Sequence, residues 1–273
     1  MSMPLRIEAP AKLNLSLRIV GRRDDGFHLL DGELVLLELA DRLLLMPGCS
    51  GLRISGESAG IPVEADNLAW RGLLAGLDRA PDLACLTLEK GIPVAAGMGG
   101  GSSDAAAAWR LGRAWRGMAE DATEADLIAL SRIGADVPFF AAQQPAARIT
   151  GIGERIEPLP AVDRHVVLVH PPFGLSTSAV FAELRPDEWG RAPNDLLAPA
   201  RRLRPELDEL FAVVRAAGGE PRLTGSGPTI FSLGDDPEHA TSVAQRLASG
   251  GVRATITRTR TTPTVIEAIE EDE

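Results

Sequence analysis

The chain has 273 residues, of which 45% are hydrophobic and only 4% aromatic, and its net charge is −10. This length and composition allow one or two domains with an aliphatic core and exclude general disorder. The acidic balance argues against a nucleic-acid-binding surface, which would be basic. No stretch approaches the ~20 apolar residues that cross a bilayer, and residues 1–10 contain no signal-peptide core. With only Cys49 and Cys85, we predict reduced thiols in a cytoplasmic protein without membrane or nucleic-acid partners.

Apolar and polar residues alternate from Arg6 to Arg18, which predicts either one half-buried strand or two strands broken at Pro10, with one polar face. Lys12 and Asn14 lie two positions apart on it, so their side chains point to the same face. Further strands are predicted at Leu34–Leu39, Arg42–Met46 and Leu86–Glu89. Helices are predicted at Leu68–Leu77, Ser102–Trp115 and Ala125–Ile133, the last with Asp121 or Thr123 as its N-cap and Gly134 as its end.

The composition changes after Pro158, so we predict a domain boundary near residue 160, between domains 1–160 and 161–273. The second domain is expected to contain the strands His165–Val169, Thr229–Leu233 and Val252–Thr257 and the helices Ser176–Leu184, Pro205–Ala217 and Pro237–Ala248. The acidic end, Glu267–Glu273, is predicted to be a solvated tail. Two strands, a glycine loop and two helices in succession favour an α+β fold over repeated βαβ units.

A glycine-rich segment leads into the second helix and reads Pro93, Val94, Ala95, Ala96, Gly97, Met98, Gly99, Gly100, Gly101, Ser102, Ser103. Glycines let backbone N–H groups approach phosphate oxygens, and the helix adds unpaired N–H groups and its positive dipole end. No lysine follows the last glycine, so this is not a Walker A loop. A flexible turn before an ordinary helix is the alternative. The apolar residues before the glycines, the two serines and the immediate helix favour a phosphate loop.

Several motifs carry a resemblance to a known family. Gly97–Ser103 resembles the central phosphate motif of the GHMP kinases, which include galactokinase and homoserine, mevalonate and phosphomevalonate kinases. Within that superfamily, other segments resemble the 4-diphosphocytidyl-2-C-methyl-D-erythritol kinases: Pro10–Leu15, Asp25–His28, Gly134–Phe139 and the glycine turn Leu223–Pro228. The motifs occur in the family's order between about residue 6 and residue 233.

The resemblance implies a two-domain α+β fold with a ribosomal-protein-S5-like N-terminal domain and a ferredoxin-like C-terminal domain. It also implies an ATP-dependent kinase that phosphorylates the 2-hydroxyl of 4-diphosphocytidyl-2-C-methyl-D-erythritol in the non-mevalonate isoprenoid pathway. The expected partners are ATP and this cytidine diphosphate substrate. Mg²⁺ is expected to arrive with ATP and to keep several waters, with Ser103 as a direct contact. His165 and His170 would face opposite sides of a strand, so they are not expected to form a metal pair.

The resemblance assigns catalysis to two residues. Asp136 would accept the hydroxyl proton, and Lys12 would keep that carboxylate ionised and stabilise charge on the hydroxyl or the γ-phosphate. From the residues alone, Asp136 could instead cap a short helix at Pro138, and Lys12 could be a solvated strand lysine. The scarcity of lysine in the chain, and the face that Lys12 shares with Asn14, favour a functional role for Lys12.

The resemblance assigns five residues to the substrate: Asn14, Phe27, His28, Thr177 and Phe181. Phe27 and His28 resemble a Tyr-His pair that binds cytidine, and Phe keeps the stacking ring while losing the phenol hydrogen bond. Both phenylalanines could instead pack on the core.

Asn67 resembles a residue near the adenine, but an Asx turn before the first helix fits its position equally well. The sequence also leaves open a homoserine- or mevalonate-type kinase and a non-catalytic nucleotide-binding protein of the same fold. The cytidine motif argues against the former, and the intact Lys12 and Asp136 against the latter.

Overall fold

The structure is a computed structural model that describes residues 3–56, 60–61, 64–77 and 84–269. Within these residues it contains the strands β1 Leu5–Arg22, β2 His28–Pro47, β3 Gly51–Gly56, β4 Ala84–Lys90, β5 Ala146–Gly151, β6 Arg155–Pro158, β7 His165–Val169, β8 Arg222–Leu223, β9 Ile230–Gly234, β10 Ala254–Arg258 and β11 Glu267–Ala268. The helices are α1 Leu68–Leu77, α2 Gly100–Trp115, α3 Glu124–Leu130, α4 Val137–Ala141, α5 Thr177–Glu183, α6 Leu197–Leu203, α7 Glu206–Ala216 and α8 Pro237–Ser249. Short 3-10 helices lie at Glu64–Asp66 and Pro186–Glu188. The predicted α+β class is confirmed. No helix in the described part of the chain is long and apolar enough to cross a membrane.

The first sheet has the strand order β11-β1-β2-β4-β3, with β5 paired to β2 and β6 paired to β5. Of the two alternatives for the first segment, the single strand is confirmed and the break at Pro10 is wrong, because β1 is continuous across a register shift between Pro10 and Lys12. Pro10 stays in register with Ala40, and Ala11 is the β1 residue that the irregularity leaves out of the ladder. The two strands predicted between Leu34 and Met46 are likewise one strand, β2.

Helices α1 and α2 pack on this sheet with their backbones in contact. A Cβ on Gly72 would lie 2.0 Å from the Ala105 carbonyl oxygen, and one on Gly76 would lie 2.2 Å from that of Trp109. Only glycine allows this approach. α2 itself is buried along Ala105–Ala108. The contact therefore holds the beginning of α2, and the glycine loop before it, rigidly against the sheet.

Helix α3 begins after Thr123, one of the two predicted N-caps. The Thr123 hydroxyl accepts a hydrogen bond from the Asp126 N–H, and the Asp126 carboxylate accepts one from the Thr123 N–H. This reciprocal pair is a capping box. The alternative cap, Asp121, is therefore excluded.

The second sheet is antiparallel, with the order β10-β7-β9-β8. The strands and helices predicted after residue 160 are all present, with ends shifted by one or two residues. An aliphatic cluster joins this sheet to its helices and includes Val167, Val169, Leu207, Phe211 and Leu247. Strands β1–β6 lie in the first sheet and β7–β10 in the second. The exact domain boundary near residue 160 stays a prediction.

Two predictions about the chain's periphery are wrong. Cys49 and Cys85 are joined by a disulfide with a Cα–Cα distance of 5.2 Å, because the turn after β2 returns beside β4. Glu267 and Ala268, predicted to be part of a solvated tail, form strand β11 against β1 instead. There the Glu267 carboxylate accepts a hydrogen bond from Arg6. The rest of the predicted tail beyond residue 269 lies outside the described residues.

Candidate functional site

A pocket of about 1090 Å³ opens where the glycine loop, β1, the start of α4 and helix α5 meet. It is bordered by nearly all of the predicted site residues: Lys12, Asn14, Phe27, His28, Asn67, Pro93, Val94, Ala95, Ala96, Gly97, Gly99, Gly100, Gly101, Ser102, Asp136, Thr177 and Phe181. Two predicted residues, Met98 and Ser103, are buried and do not border the pocket. The fold therefore brings together, in one place, residues from six separate segments of the sequence.

The glycine loop approaches other backbone segments so closely that side chains would not fit. Gly97 has φ +76°, and a Cβ there would lie 2.6 Å from the Gly227 carbonyl oxygen. Gly99 has φ +71° and is the N-cap of α2, without any side-chain hydrogen bond to the first turn. The first N–H groups of a helix have no partner inside the helix. The loop thus presents backbone donors and a positive helix end to the pocket, which is the arrangement that binds phosphate.

Lys12 and Asp136 lie next to each other at the centre of the pocket. The Lys12 Nζ is 3.6 Å from Asp136 Oδ2 and donates a hydrogen bond of 2.6 Å to Asn14 Oδ1. The lysine side chain is 6% exposed, whereas that of Asp136 is 37% exposed. The Asp136 side chain makes no capping hydrogen bond to α4. Lys12 is thus a buried cation and not a solvated one, and the Asp136 carboxylate is left open to a ligand.

The second glycine turn, between β8 and β9, lies against Lys12 and Asn14. The Thr224 hydroxyl accepts a hydrogen bond of 3.0 Å from the Asn14 N–H. A Cβ on Gly225 would lie 3.2 Å from Asn14 Oδ1 and 3.3 Å from Lys12 Nζ. Ser226 and Thr177 share a hydroxyl–hydroxyl hydrogen bond of 2.9 Å. The C-terminal half of the chain therefore contributes directly to the surroundings of Lys12.

An aromatic cluster forms the far end of the pocket. The His28 ring lies 5.3 Å from that of Phe181 at an angle of 31°, and Trp189 meets it edge-on at 5.7 Å. Burial, and the nearby positive charge of Arg22, lower the pKa of His28 below its ordinary value. Phe27 is 59% exposed, so packing on the core does not explain it. The cluster offers a neutral imidazole and two aromatic rings to a planar ligand.

A buried charge cluster that the sequence did not predict lies beneath the start of α2. The Lys90 ammonium donates hydrogen bonds to Asp41 and Asp104, and all three side chains are at most 4% exposed. Asp41 also accepts the N–H groups of Gly91 and Ile92, where the loop begins. Burial lowers the pKa of Lys90, but the charges of Asp104 and Asp41 outweigh it and raise that pKa. Burial raises the pKa of Asp104, to which the charge of Asp41 adds.

Asn67 and Ser103 differ in their relation to the predicted site. The Asn67 Oδ1 accepts the N–H groups of Ala69 and Trp70, so the predicted Asx turn at α1 is present, although Asn67 also borders the pocket. The Ser103 hydroxyl is buried and has no hydrogen-bond partner among the described residues. No group of three or more His, Cys, Asp or Glu side chains in the described ranges could hold a metal ion.

Lys90 and Trp189 are residues of the site that the sequence reasoning missed. One signal could have identified Lys90, since the chain has only two lysines, Lys12 and Lys90. No local pattern indicates Trp189, because its contact with His28 joins the beginning of β2 to a residue after a distant 3-10 helix.

Comparison with known proteins assigns the chain to a family. The models for the N-terminal and C-terminal domains of GHMP kinases match residues 67–144 and 179–253. The 4-diphosphocytidyl-2-C-methyl-D-erythritol kinase of Paracoccus denitrificans is 40% identical, covering 90% of this chain and 93% of its own. The enzyme of the same name from Thermus thermophilus is 38% identical, and the match covers 89% of this chain and 92% of that enzyme.

Solved structures agree with this assignment. A crystal structure of 4-(cytidine 5'-diphospho)-2C-methyl-D-erythritol kinase matches with a TM-score of 0.77 and 35% identity, covering 93% of this chain and 98% of that one. Homoserine kinase from Cytophaga hutchinsonii matches with a TM-score of 0.69 at 16% identity, covering 98% of both chains, which indicates a shared fold alone. The chain therefore belongs to the GHMP kinases, in the family of the 4-diphosphocytidyl-2-C-methyl-D-erythritol kinases.

Proposed function

We propose that the chain transfers the terminal phosphoryl group of ATP to the 2-hydroxyl of 4-diphosphocytidyl-2-C-methyl-D-erythritol, in the non-mevalonate route to isoprenoid precursors. The observation that carries this proposal is the Lys12–Asp136 pair, 3.6 Å apart in a pocket that also contains a phosphate loop. Phosphoryl transfer needs positioning and neutralisation of charge more than covalent help from the protein. The site offers both of these.

Asp136 is the group that accepts the proton of the attacking hydroxyl, since its carboxylate faces the pocket without a capping role. As the hydroxyl oxygen bonds to the γ-phosphorus, the bond to the β-phosphate oxygen breaks and ADP leaves. Lys12 stabilises the negative charge that builds up on the transferred group. Asn14 fixes the direction of the ammonium through its hydrogen bond of 2.6 Å.

The glycine loop holds the ATP phosphates with backbone N–H groups at the start of α2. The part of the loop before Gly97, together with Asn67, borders the same pocket and forms the nucleotide side of the site. The residues present fit a Mg²⁺ ion carried in by ATP, because the Ser102 side chain borders the pocket at the start of α2. Bound Mg²⁺ would neutralise phosphate charge, with the Ser102 hydroxyl as the candidate protein ligand. Ser103, the residue expected from the sequence, is buried outside the pocket lining and could contact the ion only after a local rearrangement.

The aromatic cluster at the other end of the pocket recognises the cytosine. Phe27 and Phe181 offer faces for stacking, and neutral His28 can both donate to and accept from the edge of the base. Thr177, joined to Ser226 in the second glycine turn, stands beside Phe181 on the same helix. The substrate's base therefore binds away from the reacting hydroxyl and orients it.

The test is ADP release measured with the cytidylyl substrate, mevalonate and homoserine under equal conditions. We expect turnover with the first at least 100-fold above that with either other alcohol. Faster turnover of mevalonate or homoserine would assign the chain to another GHMP activity. ATP binding without turnover of any of the three would instead support a non-catalytic role.

We retain the cytoplasm as the proposed compartment, because the proposed reaction consumes ATP. The Cys49–Cys85 disulfide argues the other way, since disulfides are rare in cytosolic proteins. Counting free thiols in protein isolated under alkylating conditions decides between the two. Two alkylated cysteines would support a reducing compartment.

A further inference from the structure

A buried asparagine between helices α5 and α6 binds the second glycine turn. The Asn194 Nδ2 donates hydrogen bonds of 2.9 Å to the carbonyl oxygens of both Leu223 and Gly225. Its Oδ1 accepts a third, also 2.9 Å, from the Leu196 N–H. The residue is 7% exposed and does not border the pocket. Both amide hydrogens are thus used to fix the backbone of one turn.

That turn is in direct contact with Lys12 and Asn14. Thr224 accepts the Asn14 N–H, and Gly225 lies so close to Lys12 and Asn14 that even a methyl group would approach them within about 3.3 Å. Gly225 has φ +56°, a conformation that glycine adopts without strain. A shift of the turn by a fraction of an ångström would therefore move the Lys12 ammonium or leave it room to move.

Asn194 is itself held firmly against β1. The Leu17 N–H donates to the Pro193 carbonyl oxygen at 2.7 Å, and the Asp195 N–H donates to the Leu17 carbonyl oxygen at 2.9 Å. The Asp195 carboxylate, 2% exposed, accepts four backbone N–H groups, those of Ile19, Gly190, Arg191 and Ala192. The strand that bears Lys12 also anchors the residue that fixes the turn above Lys12.

We propose that Asn194 is a positioning residue for phosphoryl transfer, acting through the Leu223–Gly225 turn on Lys12 and Asn14. This proposal rests on the proposed kinase function. Small errors in the placement of catalytic groups cost large factors in rate, whereas ground-state binding tolerates them. Loss of the two amide hydrogen bonds therefore lowers kcat and leaves the KM values for both substrates almost unchanged.

Two variants test the proposal. Asn194→Asp keeps the size and the bond from Leu196 but removes both donors, and Asn194→Ala removes the whole amide. The matched control is Thr259→Val, because Thr259 is equally buried and its hydroxyl also makes two backbone hydrogen bonds, to Val162 and from Arg164, away from the pocket. We expect kcat to fall at least tenfold in both Asn194 variants, with KM values within twofold, and to stay within twofold in the control.

A second measurement does not depend on turnover. The chain has only two lysines, Lys12 and Lys90. An amine-reactive label followed by peptide mass spectrometry therefore measures the labelling rate of Lys12, with that of Lys90 as an internal reference. We expect the ratio of Lys12 to Lys90 labelling to rise at least fivefold in the Asn194 variants and to stay unchanged in Thr259→Val. General loosening of the fold would raise both rates and leave the ratio constant.

The outcomes separate this proposal from the function on which it rests. An unmodified chain that does not phosphorylate the cytidylyl substrate overturns the proposed function, and the labelling ratio alone then decides the role of Asn194. Asn194 variants with wild-type kcat, or with an unchanged labelling ratio, overturn the positioning role. If Thr259→Val loses as much kcat as they do, the effect is general destabilisation and the positioning role also fails.

Discussion

The Lys12 ammonium and the Asp136 carboxylate lie 3.6 Å apart, one on the first strand and the other at the start of α4. The unequal exposure of the two groups suits different tasks. The buried lysine keeps a fixed position, and the partly exposed carboxylate can reach a substrate hydroxyl. This relationship gives the most direct test of the proposed chemistry.

Asp136→Asn keeps the shape of the side chain but removes the group that accepts the proton. We expect kcat to fall by roughly 10²–10⁴-fold, which is the usual contribution of a general base. The Kd for ATP should change less than twofold, because the glycine loop is untouched. Steady-state kinetics and calorimetric ATP titration measure the two quantities. A variant that retains more than half of wild-type kcat would remove Asp136 from the base role.

His28 should make substrate affinity depend on pH. Burial, and to a lesser degree Arg22, lower the pKa of His28 below 6.5, so the neutral ring predominates at pH 7 and the charged ring only below pH 6.5. A charged ring cannot accept a hydrogen bond. We expect the KM for the cytidylyl substrate to rise as the pH falls through this lowered pKa, with the KM for ATP constant. Arg22→Gln should move the rise to higher pH, and a flat profile between pH 5 and 7.5 would refute the assignment.

The same shift affects stability in a defined direction. The folded-state pKa of His28 is lowered, so the unfolded chain binds this proton more readily than the folded protein does. The free energy of unfolding is therefore unaffected by His28 protonation above the unfolded-state pKa of about 6.5. As the pH falls from there through the folded-state pKa, protonation of His28 lowers the free energy of unfolding. His28→Asn should lack this part of the pH dependence in urea unfolding, which supplies a control for the kinetic result.

Gly97 and Gly117 form a matched pair for testing the phosphate loop. Both have positive φ, +76° and +66°, but a Cβ on Gly117 meets nothing within 4 Å, whereas one on Gly97 meets the Gly227 carbonyl oxygen at 2.6 Å. Gly117→Ala should cost about 1–2 kcal/mol of unfolding free energy and leave the KM for ATP unchanged. Gly97→Ala should cost more and raise the KM for ATP at least tenfold. Equal effects in thermal unfolding and kinetics would contradict the close approach.

Lys90 should matter far more to stability than an exposed cation does. In Lys90→Met, Asp41 and Asp104 would stay buried without their cation, and removing one partner of a buried pair costs about 3–5 kcal/mol. The control is Arg148→Met, because Arg148 pairs with Asp31 on the surface, where such pairs contribute about 0–1 kcal/mol. Urea unfolding measures both. Similar losses in the two variants would show that the buried cluster is not a stabilising unit.

The sequence revealed the local features of the site better than its long-range contacts. Alternation along β1 correctly predicted that Lys12 and Asn14 share a face, and helix signals located α1 at both ends. The distance from Lys12 to Asp136 could not follow from any spacing, because it depends on how β1 and α4 pack, and only family resemblance brought the pair together.

Other features escaped prediction for identifiable physical reasons. The sequence could not decide whether β1 breaks at Pro10, because that depends on the partner strand: β2 pairs with the residues on both sides of the bulge. The Cys49–Cys85 bridge depends on β4, 36 residues further along the chain, inserting between the two strands that the Cys49 turn connects. The contacts of Asn194 join an amide side chain to a backbone turn in another segment, and neither partner carries a periodic signal.

The pairing of β11 with β1 has a consequence for biosynthesis. Leu5 and Arg6 pair with Ala268 and Glu267, and 261 residues separate Arg6 from Glu267, so the partners of this edge are synthesised long after it. Until then, the outer edge of the first strand presents unpaired backbone groups, which are a template for association with other chains. A nascent chain, or one truncated before Glu267, would therefore be prone to aggregate through this edge, and pairing of β11 with β1 would end that exposure.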